Sequence, residues 1–97
     1  MASNVGSMDV RTLDDRGMER RIAEIIISEL KLEDVTSDTF DVDLDLVDEL
    51  GIDSMDLTTV ALVLQDVFRV AIDEDDYPRL KNVRAIREYI RSKIAGV

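Results

Sequence analysis

The chain contains neither histidine nor cysteine among its 97 residues, so it lacks the commonest general base and the strongest side-chain nucleophile. A self-contained hydrolytic triad of the usual kinds cannot be assembled, and any thiol has to arrive on a prosthetic group. Carboxylates and hydroxyls remain. Residues 32 to 68 hold eleven carboxylates and no Lys or Arg. Paired carboxylates divide acid and base roles only where their surroundings separate their pKa values. A chain this short offers no evident cleft for that, and a solvated acidic face is the simpler reading. Asp41, Asp43 and Asp45 alternate as at the opening of an EF-hand loop, yet Leu46 and Ile52 stand where that loop needs Gly and Glu. No metal site is assigned and no enzymatic activity is expected.

The sharper signal is the run Leu50-Gly51-Ile52-Asp53-Ser54-Met55-Asp56. Gly51 permits an unusual backbone turn, Ile52 anchors that turn in a core, and Ser54 stands where a helix begins. A hydroxyl there is open to modification by another enzyme. A phosphate ester on it would face the free amides and the positive dipole end of the helix. On spacing alone an ordinary serine cap is the commoner arrangement. Met55 next to it reads equally as an exposed contact or as core filler, because Met serves both uses.

The elements that position this run follow from apolar periodicity. Residues 1–13 lack a period and are expected to form a disordered lead, with one domain over 14–97. After Asp14 and Asp15, the positions Met18, Ile22, Ile25, Ile26 and Leu30 recur at helical spacing and predict a first helix. Residues 32–53 form a long loop pinned by apolar anchors, including Val35, Phe40, Leu44, Leu46 and Val47. Ser54 opens a second helix with Leu57, Val60, Ala61, Leu64, Val67 and Phe68 inward and Thr58, Thr59, Gln65 and Asp66 outward. Pro78 interrupts a short third segment, so Glu74 to Leu80 is expected to form one irregular turn, with Asp73 available to cap it. Asn82 caps a last helix with Val83, Ile86, Ile90 and Ile94 inward and a basic outer face. The fold class is all-α: three main helices plus one short irregular helix, with a long first loop.

Twelve basic against 22 acidic residues give a net charge of −10. Nucleic acid and anionic membrane surfaces would be repelled, which leaves basic protein surfaces as partners. The longest apolar run is Val60 to Leu64, far short of the roughly 20 residues of a membrane span. With no signal-peptide core at the N-terminus, a cytoplasmic monomer is expected.

The stretch LGIDSMDLTTVALVLQDVFRVAIDEDD resembles the signature of acyl carrier proteins, in which a Leu-Gly-x-Asp-Ser-Leu-Asp motif opens the second helix. The likeness spans roughly residues 16 to 94 and departs within the motif only at Met55. It implies that Ser54 carries a covalent 4′-phosphopantetheine arm, derived from coenzyme A and installed by a phosphopantetheinyl transferase. Asp53, Met55 and Asp56 would present the surface around it. The arm would hold acyl chains as thioesters and deliver them to acyl-processing synthase enzymes with basic docking patches, in fatty acid or polyketide-type synthesis. Thr59 and Gln65 stand where fatty-acid carriers are usually acidic, and Arg69 adds a positive charge, so the resemblance implies a specialised member. A peptidyl or aminoacyl carrier shares the modified serine but is usually less acidic. A non-enzymatic acidic adaptor would use Ser54 only as a cap.

Overall fold

A computed structural model describes residues 13–95, and among these the chain forms three α-helices and one 3₁₀ helix with no strand. They are α1 (Asp15–Leu30), α2 (Ser54–Phe68), a 3₁₀ helix (Glu74–Arg79) and α3 (Val83–Ala95). The all-α bundle with a long first loop is therefore the observed architecture. Apart from Leu13, the lead expected at 1–13 lies outside the described residues.

α1 starts where Asp14 accepts a 2.7 Å hydrogen bond from the Gly17 amide, which satisfies one donor that the first turn leaves without a partner. It stops at Lys31, whose left-handed backbone lets Leu32 N–H reach back to Ile27 C=O at 3.0 Å. The inward stripe of α1 is Met18, Ile22, Ala23, Ile25 and Ile26, and it packs against both α2 and α3. From α2 come Val60, Ala61, Leu64 and Phe68, each with no exposed surface. This core is aliphatic apart from Phe40, Phe68 and Tyr89.

The 3₁₀ helix bridges α2 and α3. Pro78 sits inside it without interrupting it, since the 3₁₀ helix runs on to Arg79, and Asp73 makes no side-chain cap. Leu80 after it is buried. Asn82 does cap α3, accepting from the Ala85 amide at 2.7 Å. Two side chains depart from the predicted α3 face. Tyr89 is buried while Ile94 is only partly so. The Tyr89 hydroxyl donates to Asp76 at 2.7 Å, and Arg79 and Lys93 lie 5.0 and 5.4 Å from its ring centroid. That hydrogen bond makes the burial tolerable and ties the 3₁₀ helix to α3.

The long loop is fastened to both outer helices. Phe40, Leu46 and Ile52 are buried anchors, but Val47 is 51% exposed and does not act as one. A 2.8 Å bond from Leu46 N–H to Lys81 C=O and a 3.0 Å bond from Arg84 N–H to Val42 C=O join the loop to the start of α3. Arg84 also grips Asp43 through Nε at 2.7 Å and Nη2 at 3.2 Å. That pairing holds the Asp43 carboxyl below its usual range, chiefly through the hydrogen bond.

Candidate functional site

The loop and α2 meet at Ser54. Gly51 adopts φ +71°, a left-handed conformation that favours glycine. No atom lies within 4 Å of where a Cβ would sit, so the requirement there is one of backbone conformation and not of space. The turn lets Ile52 bury its side chain and sends the chain into α2 through Asp53.

The helix cap is Asp53, where a serine cap at position 54 was the commoner expectation. Asp53 accepts from the Asp56 amide at 2.8 Å, and the Asp56 carboxylate accepts in return from the Asp53 amide at 3.4 Å. This reciprocal capping box leaves Ser54 at the first helical position. The Ser54 side chain is exposed, and among the described residues no hydrogen bond engages its hydroxyl; only its carbonyl is used, by Thr58 Oγ1 at 2.8 Å. The amides of Ser54 and Met55 likewise find no acceptor among the described residues, as expected of a first turn.

Those free amides and the helix dipole favour a phosphate ester on Ser54, while Asp53 and Asp56 oppose it. Both carboxylates are already engaged with backbone amides of the same turn. The hydroxyl points to solvent, so the residues present fit an attached phosphodiester and leave it accessible.

Met55 is 76% exposed, which selects the contact reading over core filler, and Leu62 on the same face of α2 is 55% exposed. With Thr59 also exposed and Thr58 half-buried, the outer face of α2 beside Ser54 is apolar and hydroxylic through its first two turns. Gln65, read as outward, instead accepts from the Ile72 amide at 2.7 Å and closes the turn after α2. The alternating aspartates of the loop are also accounted for. Asp41 accepts from the Asp43 amide at 2.9 Å, Asp45 from those of Val47 and Asp48 at 3.0 and 2.8 Å, and Asp43 pairs with Arg84. Such aspartate turns shape the loop backbone. Sequence reasoning missed the cation partners of this acid, since Arg84, Arg87 and Arg91 read as a free basic face. Arg87 contacts Asp15 and Glu19 at 2.9 Å each, and Arg91 contacts Asp15 at 3.1 Å. The Arg87 Nε to Glu19 approach is ionic contact without hydrogen-bond alignment. The signal for these pairs was the acidic start of α1, whose partner helix only the packing reveals.

The phosphopantetheine attachment site family matches residues 20–90. The chain is 30% identical over 76 residues to the acyl carrier protein of Nitratidesulfovibrio vulgaris, covering 78% of this chain and 96% of the relative. It is 33% identical over 79 residues to that of Desulforapulum autotrophicum, with the same coverages of 78% and 96%. The acyl carrier protein of Syntrophobacter fumaroxidans is 28% identical over 84 residues, 87% of this chain and 100% of the relative. Proteins of this kind are not enzymes; they hold acyl groups as thioesters on a covalent 4′-phosphopantetheine group. With an all-helical bundle, a free hydroxyl at a helix start and matches of this extent, the chain belongs to the acyl carrier protein family.

Proposed function

We propose that Ser54 is the residue that bears the phosphopantetheine arm. The observation that carries this reading is the division of labour at the start of α2. Asp53 caps the helix, so the Ser54 hydroxyl has no structural duty and stays open to solvent. The chain has no His or Cys, so the base that takes the hydroxyl proton belongs to a separate transferase. The arm, once attached, supplies the thiol that the sequence lacks.

The carrier then presents its acyl cargo to processing enzymes. A net charge of −10 steers its encounters toward basic patches on them, while Met55 and Leu62 give an apolar contact beside the tether. This reading places the protein in the cytoplasm, with a phosphopantetheinyl transferase and the enzymes of a fatty acid or polyketide-type synthase as partners. Incubation with coenzyme A and a broad-specificity transferase is expected to add one phosphopantetheine mass to the wild type and to Ser92→Ala. Ser54→Ala is expected to gain nothing. Intact mass spectrometry checks this, and modification of Ser54→Ala would refute the assignment.

A further inference from the structure

The chain has three lysines, Lys31, Lys81 and Lys93, and without cysteine or histidine their neutral amines are its strongest nucleophiles. Two of them flank the tether. Lys31 lines a cleft of about 250 Å³ together with Gly51, Ile52 and Asp56, and Lys81 lines one of about 280 Å³ with Val47, Leu57 and Tyr77. Asp56 and Leu57 share the first turn of α2 with Ser54, where side chains three residues apart lie about 5–6 Å from one another, so each cleft begins beside the tether. Both lysines are exposed, and neither takes part in an ion pair among the described residues. Lys93, by contrast, stands eleven residues beyond Asn82, roughly 16 Å further along α3, and its amine lies 5.4 Å from the Tyr89 ring centroid.

We propose that Lys31 and Lys81 are sites of self-acylation, each taking the acyl group from the loaded arm as a stable amide. The inference rests on Ser54 bearing that arm. The neutral ε-amine adds to the thioester carbonyl, the C–N bond forms as the C–S bond breaks, the arm leaves as its thiolate, and the proton lost by nitrogen passes to that thiolate or to water. No further reactant is needed. The arm is about as long as four to five residues of extended chain, roughly 15 Å, enough to carry its thioester from Ser54 into either cleft. A short flexible tether holds its end at an effective concentration in the mM range, about a thousandfold above that of a protein at micromolar concentration, so transfer within one molecule outruns transfer between two. A lysine attacks only as the free amine, a small fraction at neutral pH because its ordinary pKa is about 10.4, and the rate gains tenfold for each pH unit below that value. The titratable groups facing Lys81 across its cleft are Asp45 and Asp48 of the loop and Tyr77 of the 3₁₀ helix, and those in the cleft of Lys31 are Glu29 of α1 and Asp56 of α2. A loaded carrier met promptly by a partner delivers its cargo, whereas one left waiting passes it to its own lysine and frees the arm.

The test loads the protein from acetyl-coenzyme A with a broad-specificity transferase, confirms the acetylated arm at Ser54 by intact mass, and holds the product at about pH 8.5, where an ordinary lysine is about 1% neutral. Samples are then treated with hydroxylamine, which cleaves thioesters and spares amides. Acetyl that survives this treatment is expected, with peptide mapping finding about tenfold or more of it on Lys31 and on Lys81 relative to Lys93. The fraction transferred in a given time is expected to stay constant when the protein is diluted. The double variant Lys31→Arg with Lys81→Arg is expected to load at Ser54 and lose the surviving acetyl; should it fail to fold, the wild-type mapping decides alone. No surviving acetyl, as much on Lys93 as on the other two, or a transferred fraction that falls on dilution would overturn the proposal and leave the Ser54 assignment standing. Acetyl on one flanking lysine alone would strike the other from it. Failure of Ser54 to load at all would overturn both readings.

Discussion

At the scale of single residues, the start of α2 separates two roles that neighbouring positions could have shared. Asp53 satisfies the Asp56 amide and holds the helix end, while Ser54 holds nothing. Asp53→Ala is therefore expected to cost about 1 kcal/mol, seen as a fall of roughly 4–8 °C in the thermal midpoint of a domain this small. Ser54→Ala should stay within about 0.5 kcal/mol of the wild type, because alanine is a good helix former and no hydrogen bond is lost. Thermal melts followed by circular dichroism distinguish the two. Equal destabilisation would mean that the serine hydroxyl serves the helix after all.

At the scale of elements, the 3₁₀ helix depends on its contact with α3 more than on its own hydrogen bonds. Its segment carries Pro78, and no residue within it is buried. Tyr89 supplies the tie. Burial, with the adjacent Asp76, pushes the Tyr89 hydroxyl up to about 12 from an ordinary value of 10.0. A group whose pKa is raised on folding contributes stability that is complete below its unfolded pKa and is lost as pH climbs through the folded one. Stability should thus hold to about pH 10 and then decline toward pH 12. Tyr89→Phe is expected to be less stable at neutral pH by about 1 kcal/mol and to lack this alkaline component. Denaturant titrations across that pH range read both effects, and an unchanged alkaline slope in the variant would count against the tie.

On the scale of the whole molecule, charge works in two directions. The cations of α3 pair with acids on α1 and the loop through Arg84, Arg87 and Arg91; salt weakens an exposed pair such as Arg84 with Asp43, while Arg87 with Glu19 is largely shielded from it. The excess of 22 acids over 12 bases leaves much of the acid around the loop and the start of α2 without a cation, and salt relieves its self-repulsion. Because each exposed pair is worth at most about 1 kcal/mol, relief of repulsion should win. The thermal midpoint is expected to rise between low ionic strength and about 0.15 M salt. A fall over that interval would show that the ion pairs dominate.

Helical periodicity and local chemistry were enough to place α1, α2 and α3, a short irregular helix before α3, the cap at Asn82 and the hydroxyl at the loop–helix junction. Each depends on residues a few positions apart, whose preferences act before the chain has folded. The choice of Asp53 over Ser54 as the cap of α2 is also local, made with Asp56 three residues on, whereas tertiary structure alone decided that Met55 faces solvent and that Val47 is no anchor. It likewise decided that the basic face of α3 is spent largely on the acids of α1 and the loop, and that Tyr89 is buried. Those outcomes depend on groups distant in sequence meeting across packed surfaces, where burial and partner geometry outweigh local preference.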